Sequence, residues 1–266
     1  MNTKDYDDLI LGHYKKIAAN FKDLSTSSME DRYVREKEVE FILTELKREY
    51  LLKQIELKVL DVGCGNGYTL SEIKNHFPAF KLYGVEYTPE LFEIAVARKL
   101  SEVEIFNRDA RQADFFDDSV DVAITERVII NILNKKDQET AIINIASKIK
   151  LGGLYIMIES FKEPLVQLNL ARDEMSLTPI PESYQNIYLN EFFVGRIKKY
   201  GLTEITPVMP SNYLSSHFFN SRIIHNAIRP EGGKVKHTRF VSFLDQAFPP
   251  AIGNYSPILF RIFRKV

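Results

Sequence analysis

A glycine-rich turn between a short apolar segment and a helix constrains the fold of this chain more than any other feature. The segment is VLDVGCGNGYTL, residues 59–70, in which Gly63, Gly65 and Gly67 recur at every second position. Glycine lets the backbone turn sharply and approach a ligand with no Cβ in the way. The helix that follows presents free N–H groups at its start, where an anionic group can bind. The segment therefore predicts a ligand-binding loop between a strand and a helix.

The spacing of this turn distinguishes between two classes of ligand. Dinucleotide-binding domains use G-x-G-x-x-G after a strand. Here the spacing is G-x-G-x-G, and an acid, Asp61, stands just before the turn. A carboxylate at that point repels a pyrophosphate but attracts an ammonium or sulfonium centre. The segment thus favours a zwitterionic amino-acid cofactor over a dinucleotide.

Strand and helix patterns alternate along most of the chain, which is typical of a parallel sheet wound by right-handed crossovers. Strands are predicted at 57–62, 81–86, 103–107, 120–125, 154–158 and 203–208, with a last strand in 256–266. Helices are predicted at 30–50, from the turn to about 76, and at 89–100, 134–150 and 190–200. We expect an α/β fold whose last strand is antiparallel and inserts beside the preceding strand.

Two acids follow the second and third predicted strands, at the sheet edge where the glycine loop lies. Glu86 ends the second strand, where an acid can accept hydrogen bonds from both ribose hydroxyls of a nucleoside. Asp109 and Ala110 follow the third strand, where a carboxylate can bind the amino group of adenine. In this order behind the glycine loop, the acids indicate a nucleoside site.

These residues together resemble the class I S-adenosylmethionine (SAM)-dependent methyltransferases over roughly residues 57–160. The match extends to KIKLGGLYIMIE, which is similar to the family's L-K-P-G-G turn with Leu151 in place of proline. The resemblance implies a doubly wound, seven-stranded, mostly parallel sheet of order 3-2-1-4-5-7-6 in a single domain, residues 1–266. The segments 161–189 and 210–253 are too long for plain connections. With residues 1–50, they are predicted to form a helical substrate cap.

The resemblance also implies SAM as the cofactor and assigns its site. The glycines would lie against the methionine part, Glu86 would bind ribose, and residues 125–127 would face the sulfonium. Arg35, on the predicted helix 30–50, is suited to bidentate pairing with the methionine carboxylate. The predicted cofactor-binding residues are Arg35, Asp61, Gly63, Cys64, Gly65, Glu86, Tyr87, Asp109, Ala110 and Glu126.

The sequence carries no motif that identifies the methyl acceptor. The place of the N-P-P-Y motif of nucleic-acid and protein glutamine N-methyltransferases reads TERV, and the chain has no tryptophan. No metal is predicted, because no H-x-x-x-H or C-x-x-C spacing occurs. The predicted substrate-binding residues are Tyr14, Arg127, Asn131, Asn169 and Arg172, and the candidate general bases for a hydroxyl acceptor are Glu159 and His217. The two arginines suggest a phosphate or carboxylate on the acceptor.

Three functions remain open at this point. ERVIINILNKKDQ and LGGLYIMIES resemble small-molecule and glycan methyltransferases of bacterial surface-polysaccharide gene clusters, which implies O-methylation of a sugar or a small phosphorylated building block. An RNA methyltransferase is the second, because from Arg196 onward 11 Lys+Arg accompany only 3 Asp+Glu. Such a basic region attracts nucleic acid, but its charges are spread among aromatic residues, so charge balance between two parts of one fold is the preferred explanation and a nucleic-acid partner is not expected. The third is a non-catalytic SAM-binding protein.

The cellular location is predicted from features that the sequence lacks. Cys64 is the single cysteine, so no internal disulfide can form, which suits a reducing cytoplasm. No apolar run reaches the length of a membrane span. Residues 1–16 lack the basic segment followed by an apolar one that marks a secretory signal. A cytoplasmic location is therefore expected.

Overall fold

A seven-stranded sheet forms the centre of the protein. The computed structural model describes residues 3–21, 29–206, 212–229 and 238–266. The strands are β1 (Lys58–Val62), β2 (Lys81–Glu86), β3 (Val103–Asn107), β4 (Val120–Glu126), β5 (Ile149–Ser160), β6 (Leu202–Glu204) and β7 (Ile258–Lys265). Their order is β3-β2-β1-β4-β5-β7-β6, with β7 antiparallel to both neighbours and all other pairs parallel. The predicted fold class and strand order are confirmed.

Helices flank this sheet. They are α1 (Thr3–Phe21), α2 (Arg32–Lys53), α3 (Tyr68–His76), α4 (Pro89–Ala97), α5 (Lys135–Lys148), α6 (Lys162–Glu174), α7 (Glu191–Ile197), α8 (Ser215–Phe219), α9 (His225–Ile228) and α10 (Arg239–Ala247). A 3₁₀ turn, Ile129–Asn131, follows β4, another, Lys198–Tyr200, follows α7, and a π-helix, Asn220–Ile224, lies between α8 and α9. None of the described helices combines the length and apolar character that a membrane span needs.

Two apolar layers cover the faces of the sheet. Val59 of β1 packs in a cluster with Ile42 of α2 and Leu70 of α3. Its neighbour Leu60 points to the opposite face and packs in a cluster with Ile142 of α5. Central parallel strands are buried on both faces and therefore read as continuous apolar runs. This burial is the physical basis of the doubly wound arrangement.

The fifth strand differs from its predicted bounds, 154–158. α5 ends at Lys148 and β5 begins at the next residue, so Gly152–Gly153 lies inside the strand and does not end the helix. The pairing of β4 with β5 shifts register in this region. A Cβ on Gly153 would lie 2.8 Å from the carbonyl oxygen of Asp121. The glycine therefore admits a close backbone approach at a bulge, and the predicted helix stop was wrong.

Some predicted segments extend beyond the described residues. The sixth strand is described as Leu202–Glu204, whereas residues 207–208 of the predicted strand 203–208 lie outside the described residues. The same holds for parts of the predicted cap segments 1–50 and 210–253. The assignment of residues 1–266 to one domain with this cap stays a prediction.

Basic residues of the C-terminal third pair with acids from earlier in the chain. The Arg264 Nη1 atom lies 2.7 Å from Glu49 Oε1. The Arg196 Nη2 atom lies 2.5 Å from Glu139 Oε1. These contacts favour the interpretation that the charge asymmetry balances two parts of one fold.

A matched pair of substitutions tests the packing of the glycine loop. Gly63 (φ +73°) and Gly65 (φ +57°) are both left-handed, but a Cβ at Gly63 would lie 2.4 Å from Val128 Cγ2, while one at Gly65 would meet nothing within 4 Å. Gly65→Ala should lower the free energy of unfolding by about 1–2 kcal/mol through backbone strain. Gly63→Ala should cost about 1–3 kcal/mol more through overpacking. Urea unfolding measures both, and equal losses would contradict the close contact with Val128.

Candidate functional site

A cavity lies at the carboxyl ends of β1 to β4, where open α/β sheets bind their ligands. It has about 930 Å³ of empty space, part of it open to solvent, and α1 covers it with Asp7, Ile10 and Tyr14. Of the residues singled out by sequence, the wall contains Tyr14, Gly63, Gly65, Glu86, Tyr87, Asp109, Ala110, Glu126, Arg127 and Asn131. The fold therefore brings most of the predicted cofactor-binding residues to one place.

The glycine loop and Glu86 form one wall of the cavity. The backbone N–H groups of Gly63 and Cys64 donate to the Val85 carbonyl at 2.7 and 3.0 Å, which fixes the loop on β2. The Gly65 N–H donates to Glu86 Oε2 at 2.8 Å, and the Thr88 N–H donates to Oε1 at 2.8 Å. Burial raises the pKa of Glu86, while these N–H donors oppose the shift. Glu86 is thus held rigidly with its carboxylate at the cavity wall.

Cys64 takes a different place from the one predicted. Its thiol is buried, and its Sγ would lie 2.9 Å from a Cβ built on Gly84. Burial raises the pKa of the thiol well above its usual range. Cys64 therefore packs behind the loop, and the cavity wall does not include it.

An arginine that sequence reasoning missed organises the far end of the cavity. Arg111 Nη2 lies 2.7 Å from Asp109 Oδ2, and Arg111 Nη1 lies 2.9 Å from Asp7 Oδ1 on α1. Its guanidinium also stands 5.3 Å from the centre of the Tyr87 ring. Arg111 thus joins the covering helix to the segments that follow β2 and β3.

A buried ionic network closes the other end of the cavity. Arg35 on α2 donates to Glu126 at the end of β4, and to Thr69 Oγ1 at 2.5 Å. Arg35 also donates to Glu38 Oε2 at 3.4 Å, and Arg127 donates to the other oxygen of Glu38. Arg35 thus pairs with internal carboxylates in this arrangement, and its pairing with a ligand carboxylate stays a prediction.

Asp61 is buried beside this network without a hydrogen-bond partner. Its side chain is almost fully buried, and among the described residues neither carboxylate oxygen has a donor. Burial, and then the nearby charge of Glu126, raise the pKa of Asp61 well above its usual range. An unpaired buried acid is costly. Asp61 is not part of the cavity wall, but it directly precedes Val62, which is, so a cation bound at that point would lower the cost.

Tyr14 of α1 and Asn131 lie at the end of the cavity that this ionic network closes. Asn131 Nδ2 donates to Tyr14 Oη at 2.6 Å, and Asn186 Nδ2 donates to Asn131 Oδ1 at 2.6 Å. Burial raises the pKa of Tyr14 to about 12, so its hydroxyl stays protonated at neutral pH. These groups offer neutral hydrogen bonds next to the ionic network.

Glu159 does not point into the cavity. Its Oε1 accepts from the N–H groups of Val128 and Ile129, both at 3.0 Å, and its Oε2 accepts from Ile130 at 3.3 Å. These are the free donors at the start of the 3₁₀ turn after β4. Burial raises its pKa to about 7 against those hydrogen bonds. The geometry makes Glu159 a backbone cap in place of the predicted base.

His217 is likewise engaged elsewhere. Its Nδ1 lies 2.7 Å from Asp245 Oδ2, and its Nε2 lies 3.0 Å from Asp31 Oδ2, with both pairs buried. Burial opposes the imidazolium, but the hydrogen bonds to Asp245 and Asp31 outweigh it and raise the pKa of His217. His217 therefore joins α8 to α10 and to the start of α2, away from the cavity wall.

The predicted substrate residues on α6 also make internal contacts. Asn169 pairs with the backbone of Ile180, donating at 2.9 Å and accepting at 2.8 Å. Arg172 donates to the carbonyl groups of Thr178 and Arg222. Arg222 lies in the π-helix between α8 and α9. Both side chains brace the chain around α6, so their predicted contact with an acceptor is not seen in this arrangement.

The site residues that sequence reasoning missed are Asp7, Thr69, Arg111 and Glu38. Glu38 stands three residues after Arg35, a spacing that places both on one helix face. Arg111 stands two residues after Asp109, but the contacts of Arg111 with Asp7 and of Thr69 with Arg35 join segments far apart in the chain, and no local pattern indicates them. Among the described residues, no group of three His, Cys, Asp or Glu side chains is suited to hold a metal.

Comparison with known proteins finds a match over the region that contains most of the cavity wall. Residues 59–153 match the family model of a methyltransferase domain. The matched residues include the glycine loop, Glu86 and Asp109. A malonyl-[acyl-carrier protein] O-methyltransferase of Bacillus cereus is 24% identical over 153 residues, 55% of this chain and 55% of that protein. The chain therefore spans about half the length of the curated relatives it matches.

Solved structures show the same fold over nearly the whole chain. Magnesium protoporphyrin IX methyltransferase from Synechocystis PCC 6803, with bound SAH, covers 99% of this chain and 98% of its own, with a TM-score of 0.58 and 14% identity. The N-methyltransferase NodS from Bradyrhizobium japonicum WM9, in complex with S-adenosyl-L-homocysteine, covers 96% and 98%, with a TM-score of 0.57 and 15% identity. These likenesses establish the methyltransferase fold.

The capping role of Glu159 predicts a pH dependence of stability. The folded carboxyl group has a pKa of about 7 against an ordinary value of 4.5, so the folded state binds this proton more tightly than the unfolded state. The stability of the wild type relative to Glu159→Gln should therefore fall as the pH rises from 4.5 to about 7. Urea unfolding of both proteins across this range measures the difference. A difference that is constant with pH would contradict the assignment.

Proposed function

We propose that the protein is a SAM-dependent methyltransferase. The observation that carries the proposal is the buried, unpartnered carboxylate of Asp61, which lies one residue before the cavity-lining Val62 and the glycine loop. A ligand that brings an ammonium and a sulfonium suits this acid, whereas a pyrophosphate does not. The match of residues 59–153 to a methyltransferase domain and the bound SAH of the related structures support SAM as that ligand.

The residues of the cavity fit the parts of SAM in turn. Glu86 would accept from the ribose hydroxyls, and Asp109 with Ala110 would border adenine. Glu126 on the cavity wall, with Asp61 buried next to it, would face the cationic groups. SAM supplies a methyl group on a sulfonium, which is already a good leaving group. The protein's own contribution is to hold the acceptor in line and to exclude water, which α1 does by covering the cavity.

We propose a small, sugar-type acceptor that is methylated on oxygen, the reaction that the sequence resemblance associates with bacterial surface polysaccharides. Tyr14 and Asn131 line the end of the cavity that Glu126 and Arg127 enclose, and their neutral hydrogen bonds suit hydroxyl groups. Arg127 donates to Glu38, and Arg172 donates to backbone carbonyls. Their positions favour a neutral acceptor over the anionic one that the sequence suggests.

The two alternative functions have weaker support. An RNA methyltransferase needs basic groups free to contact phosphates, whereas Arg196 and Arg264 of the basic third are paired with carboxylates. A non-catalytic SAM-binding protein would share the same cofactor cavity. Turnover separates it from an enzyme, because only an enzyme converts SAM to S-adenosylhomocysteine (SAH) in the presence of an acceptor.

Calorimetry with SAM, SAH and NAD tests the proposed cofactor. SAM and SAH should bind, and NAD should not. Glu86→Ala should weaken SAM binding by about 1.5–3 kcal/mol, the range for hydrogen bonds to a charged group. Glu45→Ala is the matched control, because Glu45 is buried on α2 and pairs with Arg48 away from the cavity. Binding of NAD without SAM would contradict the proposed function, and unchanged affinity in Glu86→Ala would contradict the ribose assignment.

A further inference from the structure

We propose that Glu126 is an internal substitute for the methionine carboxylate of the ligand. Glu126 pairs with Arg35 and is released to accept the ligand's ammonium group when the ligand's carboxylate takes its place. The site then selects ligands that carry both charges. This inference rests on the proposed function, since it concerns how the same cavity recognises its cofactor.

The pairing of Arg35 is the first observation. Its side chain is 8% exposed, and its guanidinium donates to Glu126, to Glu38 and to Thr69 Oγ1. The Thr69 hydroxyl donates in turn to Glu126 Oε1 at 2.5 Å. Glu126 is therefore bound to both groups that a ligand carboxylate at this position would use. A second carboxylate can reach the guanidinium only if Glu126 moves away.

The location of Glu126 is the second observation. It is the last residue of β4 and lines the cavity, whereas Arg35 lies behind it and is not part of the wall. A ligand in the cavity therefore meets the carboxylate of Glu126 before it meets the guanidinium. Glu126 stands between the cavity and the cation that the ligand's carboxylate needs.

The local charge balance is the third observation. Asp61, Glu126 and Glu38 surround the buried guanidinium of Arg35, and each of these carboxylates interacts electrostatically with it. Asp61 has no hydrogen-bond donor among the described residues. Displacing Glu126 by a lone anion would leave a second buried carboxylate without a partner, which is strongly unfavourable. An ammonium group on the same ligand removes that penalty, because it pairs with the released Glu126 beside Asp61.

The exchange predicts that the two charged groups of the ligand bind cooperatively. A ligand with only the carboxylate must release Glu126 with nothing to neutralise it. A ligand with only the ammonium meets a Glu126 that is still paired with Arg35. A ligand with neither group leaves the network undisturbed. Loss of both groups should therefore cost less than the two separate losses combined.

Calorimetry on the wild-type protein tests this with four ligands. They are SAH, its deamino analogue 4-(5′-adenosylthio)butyrate, its decarboxylated analogue, and 5′-methylthioadenosine, which lacks both charged groups. Each single loss should weaken binding by at least about tenfold, as for hydrogen bonds to charged groups. Loss of both groups should weaken binding by a factor that is at least about tenfold smaller than the product of the two single factors. Factors that simply multiply would overturn the inference.

The variant Glu126→Gln gives a second test, in which the affinities for SAH and for its deamino analogue should change in opposite directions. It should bind SAH at least about tenfold more weakly, because the ammonium loses a charged partner. It should bind the deamino analogue about threefold to tenfold more tightly than the wild type does, because no carboxylate is stranded. Glu45→Gln, a buried carboxylate substitution on α2 outside the cavity, should change neither affinity.

The outcomes separate this inference from the proposed function. Absence of SAH binding to the wild type would contradict the proposed function itself. Tight binding of SAH, with equal weakening of SAH and the deamino analogue in Glu126→Gln, would leave the cofactor assignment in place and overturn the exchange. If Glu126→Gln does not fold, the four-ligand comparison on the wild type still decides the inference.

Discussion

Two buried arginines, each held by a carboxylate from a distant segment, organise the end of β4. Arg35 pairs with Glu126, and Arg127 pairs with Glu38. Because Arg35 and Glu38 both lie on α2, these contacts join that helix to the strand end that lines the cavity. Arg127 also adopts a left-handed backbone (φ +58°), which is unfavourable for a residue other than glycine. The ionic contacts hold this strained turn against α2.

The same helix joins the cavity to the segment after β6. Asp31 precedes Arg35 by one turn, and the Arg35 N–H donates to the Asp31 carbonyl at 3.1 Å. The side chain of Asp31 pairs with His217 and Arg222. Neighbouring positions of α2 therefore contact the end of β4 at the cavity and, on the other side, α8 and the π-helix. A change in the packing of α8 or the π-helix would therefore alter the contacts of the helix that carries Arg35.

Sequence reasoning was most successful where one local segment contains the whole signal. The glycine loop and Glu86 were placed correctly at the strand ends, because strand, turn and helix follow each other within a few residues and the carboxyl ends of parallel strands meet at one edge. Glu159 and His217 have side chains suited to a general base, but their role depends on which partners surround them. Three backbone N–H groups after β4 donate to Glu159, and two carboxylates pair with His217. Neither arrangement has a local signature.

The alternation of apolar strands and helices, with the loop at 63–67, was sufficient to determine the α/β fold and, through the family resemblance, the strand order. These features depend on backbone conformation and burial, which short patterns encode. The partners of charged side chains were decided only by tertiary structure. Arg111 meets Asp7 across about a hundred residues, and Arg172 binds carbonyls instead of an acceptor. A long charged side chain reaches whichever buried acceptor the completed fold brings near it, and that proximity does not exist until the sheet has formed.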